Sequence, residues 1–130
     1  MKLEELKAVV RERGAGAYVM TTSADARPHV TYAPVSWEDG GLSAEVGAST
    51  ARNARANPLV TLLFPLRNAD DYSLIVDGAA AVEPGGQRLS LTPTRAVLHR
   101  PGRPLDPTSS CTADCVPLFE APAPRGPRGS

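Results

Sequence analysis

The spacing of apolar residues changes period along the chain. Leu3, Leu6, Val9 and Val10 recur at helical spacing with Glu and Lys between them, and Gly14 follows as a stop. This predicts a short amphipathic helix that needs a surface to lie on. From Ala17 the pattern shortens toward the two-residue period of a strand. Residues 17–23 are rich in β-formers, Ala24-Asp25-Ala26-Arg27 reads as a connector, and Pro28 opens the next run at a strand start. His29, Thr31, Ala33, Val35 and Trp37 fall on one face of that run, and Val30, Tyr32, Pro34 and Ser36 on the other. Both faces carry apolar groups, so the strand is expected to be covered on both sides. Glu38-Asp39-Gly40-Gly41 is a turn signal, and residues 42–46 return as a third strand.

Residues 47–57 change again. Ser49 or Thr50 is placed to cap a short helix through 51–56, which Pro58 ends by pushing Asn57 out of helical geometry. Residues 59–64 form a nearly continuous apolar strand, and 65–71 a polar loop. Residues 72–83 read as a long strand interrupted at Asp77-Gly78, a bulge or a bend. Pro84-Gly85-Gly86 turns the chain into a last strand, 88–99, kinked near Pro93. Beyond Arg100 the composition shifts, with seven of the thirteen prolines at or after Pro101. Little regular structure is expected there, apart from a docking of Val116-Pro117-Leu118-Phe119. The division is a domain over 1–100 and a proline-rich tail over 101–130. About six strands, one helix before them and one among them, predict a mainly β fold: a small antiparallel barrel with short flanking helices, not a doubly wound sheet.

At 130 residues and 42% hydrophobic, the chain can build one core. Fourteen basic and fourteen acidic residues cancel, which argues against broad capture of nucleic acid or anionic membrane. Six aromatics are too few for a platform that stacks single-stranded bases. No apolar run is long enough to span a membrane and the first thirteen residues lack a signal-peptide pattern, so a cytoplasmic protein is expected. No P-loop, G-x-S-x-G, H-E-x-x-H or EF-hand loop occurs. Asp70-Asp71 read as solvated loop carboxylates.

Arg27-Pro28-His29-Val30, the Asp39-Gly40 turn, Gly47 through Asn53, and above all Asn57-Pro58-Leu59-Val60-Thr61-Leu62-Leu63-Phe64-Pro65 resemble the FMN-binding split-barrel superfamily. Its members include the pyridoxine/pyridoxamine 5′-phosphate oxidases and the deazaflavin-dependent reductases. The resemblance spans roughly residues 1–100. It implies a six-stranded antiparallel split β-barrel that forms a homodimer and holds FMN, or alternatively a deazaflavin, in the groove between subunits. The second strand would run along the flavin ring at Thr31, Tyr32, Ala33 and Pro34. The start of the short helix would meet the phosphate at Ser49, Thr50 and Arg52, and Ser73 would reach the cofactor from the partner subunit. A helix N-terminus with hydroxyls and a guanidinium is sound chemistry for a phosphate. The family usually has Lys where this chain has Thr50, and the oxidases have Arg where it has Thr31.

The leading expectation is therefore a small flavin- or deazaflavin-dependent oxidoreductase acting on a small-molecule substrate, with the chemistry done at the cofactor ring and no side chain named as catalytic. The other expectation, favoured by the two missing charges, is a non-catalytic split-barrel module that binds a tetrapyrrole or a protein partner. Cys111 and Cys115 read first as unligated thiols. A disulfide between them, or a metal site with His99 and Asp114, are the lesser readings, so no metal is assigned. His99 reads as a strand-end residue, and His29 faces either the cofactor groove or the dimer seam.

Overall fold

A computed structural model of the chain describes residues 2–101 and 113–121. Two helices, α1 (Lys2–Glu12) and α2 (Ala48–Ala56), accompany seven strands: β1 (Gly16–Thr22), β2 (Pro28–Glu38), β3 (Gly41–Glu45), β4 (Leu59–Phe64), β5 (Ser73–Val82), β6 (Arg88–Pro101) and β7 (Ala113–Glu120). The strands follow the order β3-β2-β1-β4-β5-β6-β7, and β3 also pairs with β6. That pairing closes β1 to β6 into the six-stranded antiparallel barrel that the sequence pattern predicts.

Local chemistry accounts for the sharp features. Asp39 and Gly40 both take positive φ, 53° and 79°, which is the geometry of a tight hairpin between β2 and β3. The register of β5 against β6 shifts between Asp77 and Gly78, so the interruption read from the sequence is a bulge. Gly78 sits there for space: a Cβ would run into the carbonyl oxygen of Thr92 and the side chain of Leu91.

The long strand β6 explains why the barrel is split. Its first residues, Arg88–Leu91, pair with β3, which is only five residues long. Further along, the same edge is taken by β7, from Arg95 to Pro101. An unpaired edge would leave a row of backbone donors and acceptors open. Helix α1 packs against both β2 and β7, and so fills the gap between them. It buries Leu6 and Val10 there, in a core that also holds Phe64, Leu62, Leu74 and Leu89.

Three expectations are corrected. The segment after Arg100 is expected to be irregular apart from a docking of Val116-Pro117-Leu118-Phe119; residues 113–120 are instead a strand, and within it Leu118 and Phe119 do pack against the core. The second strand is not covered on both sides: Val30 is 55% and Tyr32 59% exposed. Neither Ser49 nor Thr50 caps α2. The helix begins at Ala48 with Gly47 as an extended N-cap, without a side-chain cap hydrogen bond. Gly47 O accepts the Ala51 N–H at 3.0 Å. Starting three residues early carries Thr50 round to the inner face, where it is 2% exposed beside Ala51, Asn53 and Ala54.

Candidate functional site

Strand alternation sorts the residues of interest. Ala17, Val19 and Thr21 of β1, and Ala33 and Val35 of β2, point into the barrel, so Tyr18, Met20, Val30, Tyr32 and Pro34 point out. Registered partners share a face, which strings the outward residues into rows across the strands. One row runs Tyr32, Tyr18, Leu63, Ile75, Val97. Tyr18 and Tyr32 meet edge to face with ring centroids 5.0 Å apart. The Tyr32 ring lies over Gly16, where any Cβ would collide with it. Leu59 stands out from the same side at 72% exposure. The result is an apolar, aromatic outer face on β2, β1 and β4. In a folded monomer such a face marks an interaction surface.

Two residues along, a second row crosses β5, β6 and β7 as Ser73, His99, Cys115. The Ser73 hydroxyl donates to the carbonyl oxygen of His99 at 3.0 Å. Cys115 is exposed; Cys111 lies outside the described residues. His29 occupies a different environment. It is half-buried on the inward side of β2, registered with the buried Thr21, and its Nδ1 is enclosed without a hydrogen-bond partner.

The residues implied by the resemblance thus divide. Tyr32 and Pro34 stand on the outer face, while Thr31 is half-buried and Ala33 buried on the inner one. Ser73 lies on the outer face of the far side of the sheet. At α2, Arg52 and Ser49 come together, Nη2 to Oγ at 3.4 Å, both exposed. Thr50 is turned away into the core. The start of α2 opens on a cavity of about 800 Å³ lined by Pro34, Glu45, Gly47, Ala48, Glu83 and Arg88. Two carboxylates there oppose a single guanidinium. Arg88 already lies 3.5 Å from Glu38, and Glu83 accepts a hydrogen bond from Ser90 at 2.7 Å. The helix dipole favours an anion at this point, but the side chains around it do not.

Other polar groups serve the scaffold. Asn53 donates through Nδ2 to Thr21 Oγ1 at 3.1 Å, a buried bond tying α2 to β1 that no sequence signal marked. Asp71 holds the loop between β4 and β5. Arg67 grips it through its backbone N–H and through Nε and Nη2 at 2.7 and 3.0 Å. Those side-chain bonds, with smaller help from backbone donors and Arg13, hold the Asp71 carboxyl well below the usual carboxylate range. Arg13, almost wholly buried, bonds to the Tyr72 carbonyl oxygen and lies 3.4 Å from Asp71, tying the end of α1 to that loop. Burial pulls the Arg13 pKa down while Asp71 pulls it up. Among the described residues no three His, Cys, Asp or Glu side chains are grouped to hold a metal ion, and no helix is long and apolar enough to cross a membrane.

The geometry defines the class: a closed antiparallel barrel, split beside α1, with an apolar outer face and an open groove at α2. No protein-family model matches the chain. Uncharacterized proteins of Mycobacterium bovis and Mycobacterium tuberculosis are each 39% identical over 84 residues, covering 59% of this chain and 58% of each relative. The chain thus spans less than two thirds of the curated relatives it matches. Among solved structures, a heme binding protein from Mycobacterium smegmatis superposes with TM-score 0.61 at 12% identity, over 93% of this chain and 62% of that one. HutZ, the heme storage protein from Vibrio cholerae, gives 0.58 at 18%, over 92% and 98%. General Stress Protein 26 from Bacillus anthracis gives 0.57 at 19%, over 75% and 94%. At these identities the likeness is one of fold.

Proposed function

We propose that the chain is a split-barrel module that binds a tetrapyrrole, haem being the leading candidate, with the outer faces of two copies forming the site. The observation that carries this reading is the apolar outer face, where Tyr18, Val30, Tyr32 and Leu59 stand exposed together. A porphyrin is a large, flat, mostly apolar group, and burying it against such a surface is favourable at about 25 cal/mol per Å². The match in fold to two proteins named for haem supports the same direction.

The cradle that FMN requires is weak by comparison. Its phosphate is dianionic, yet Thr50 is buried, Ser49 and Arg52 engage each other, and Glu45 and Glu83 line the groove at the helix start. A flavin or deazaflavin reading keeps one observation in its favour: the cavity at α2 has room for such a ligand, and the first N–H groups of the helix lie at its edge. Under that reading Ser49 and Arg52 would hold the phosphate, Thr31 to Pro34 would run beside the ring, and the cofactor would supply hydride or electron transfer.

The two readings separate on the chain as it comes from cells. Full-length protein is purified and its absorbance spectrum is recorded, with mass spectrometry of whatever is bound. A Soret band and a porphyrin mass are expected. A flavin or deazaflavin spectrum without a porphyrin band overturns the proposal in favour of the oxidoreductase.

A further inference from the structure

We propose that the site recognises the tetrapyrrole ring and not its metal, through Tyr32 seated on the bare backbone of Gly16; the inference rests on the tetrapyrrole reading above. Strand alternation puts Gly16 on the outer face with Tyr18, because Ala17 between them is wholly buried. Tyr32 is registered with Tyr18, so Gly16 is its diagonal neighbour across the β1–β2 pair. The φ of Gly16 lies outside the left-handed region, so the backbone does not ask for glycine here. The space above it does. A Cβ on Gly16 would collide with the hydroxyl oxygen and the adjoining ring carbons of Tyr32. Tyr18 meets the same ring edge to face at 5.0 Å. Two supports hold the ring in place, yet Tyr32 stays 59% exposed. A held aromatic loses little freedom when a ligand arrives, and its π face suits any flat conjugated partner.

The side chains that most often hold haem iron stand elsewhere. The chain has two histidines. His29 lies on the inner side of β2 with its Nδ1 enclosed. His99 is on β6, which the β3–β6 pairing carries to the far side of the barrel, and Cys115 pairs with it there. The donors on the face itself are poor ones. The Thr61 hydroxyl is spent on Asp77 at 2.6 Å, and the Tyr32 hydroxyl rests against Gly16. The Met20 thioether is a weak acceptor. Ring contact and apolar area are what the face offers, with Val30 and Leu59 extending the surface beside Tyr32. The area that a macrocycle buries there is the same with or without a central metal.

The test is an equilibrium titration of ligand-free full-length protein with hemin and, separately, with metal-free protoporphyrin IX, followed by absorbance and fluorescence. The variants are Tyr32→Phe, Tyr32→Leu, Gly16→Ala, and Gly16→Ala combined with Tyr32→Leu, each checked for folding by circular dichroism. Wild type is expected to bind the two porphyrins within about three-fold of each other, where an iron–protein bond would favour hemin by about ten-fold or more. Tyr32→Phe keeps the ring and binds both as wild type does. Tyr32→Leu weakens both by about ten-fold, the scale of one lost stacking partner. In Gly16→Ala the new methyl meets only the far end of a flexible side chain, so the fold is kept and the ring is displaced. Both affinities then fall as they do in Tyr32→Leu. Combined with Tyr32→Leu, Gly16→Ala adds no further loss, whereas a merely structural role for Gly16 would add its own. If wild type binds neither porphyrin, the tetrapyrrole reading fails and this inference with it. If hemin alone binds, or if Tyr32→Leu or Gly16→Ala leaves both affinities unchanged, the inference is overturned and the reading stands.

Discussion

Single positions carry consequences that their residue types alone do not announce. Gly78 sits at the bulge because the Thr92 carbonyl occupies the place of a Cβ. Gly78→Ala must push β5 from β6 and is expected to cost about 1–3 kcal/mol in urea denaturation, as overpacking does; an unchanged midpoint would contradict the close approach. Asp71 gives a pH signature. Its carboxyl titrates below the ordinary value of about 4. The native state therefore binds that proton less readily than the unfolded state. The stability this contributes is complete above the unfolded value and is lost as pH falls through the lower folded one. Asp71→Asn is expected to flatten the acid limb of stability against pH, measured as thermal midpoints from pH 5 downward. The interruption at Asp77-Gly78 was legible from the sequence, since a glycine inside a β pattern asks for a reason. The burial of Thr50 was not. A Ser-Thr pair ahead of a helical run reads as a cap, and only the helix's earlier start at Ala48 turns Thr50 inward.

At the scale of elements, α1 and β7 cover what the β3–β6 closure leaves open. β3 covers only the first part of one edge of β6, β7 takes that edge from Arg95 onward, and α1 packs against β7 and β2. Leu6 is wholly buried in that seam. Leu6→Ala is expected to destabilise the fold by about 2–5 kcal/mol in chemical denaturation, the range for emptying a core site. A loss below about 1 kcal/mol would mean that α1 lies on the barrel without sealing it. The six barrel strands were legible because each is an alternating or continuous apolar run bounded by turn or breaker residues. β7 was not, because Pro117 breaks the pattern and its pairing depends on an edge left over by a short β3. No local window of sequence contains that fact.

At the scale of the whole molecule, the apolar outer face ties fold to function. Val30, Tyr32 and Leu59 stand exposed on that face, and under the proposed function a second copy covers them. Light scattering is expected to give twice the chain mass. Val30→Glu, which plants a charge in the seam, is expected to give the single-chain mass with unchanged circular dichroism. A monomeric wild type would remove half of the proposed site. The exposure of this face could not be read from the pattern alone: apolar residues on both sides of the second strand say that both faces are covered, not that the chain itself leaves one of them open. The most direct measurement of the central claim is a parallel titration of ligand-free full-length protein with hemin, FMN and a deazaflavin, followed by absorbance and fluorescence quenching. Saturable hemin binding with little or no binding of the other two is the predicted result. Tight binding of FMN or the deazaflavin, with hemin excluded, would contradict it.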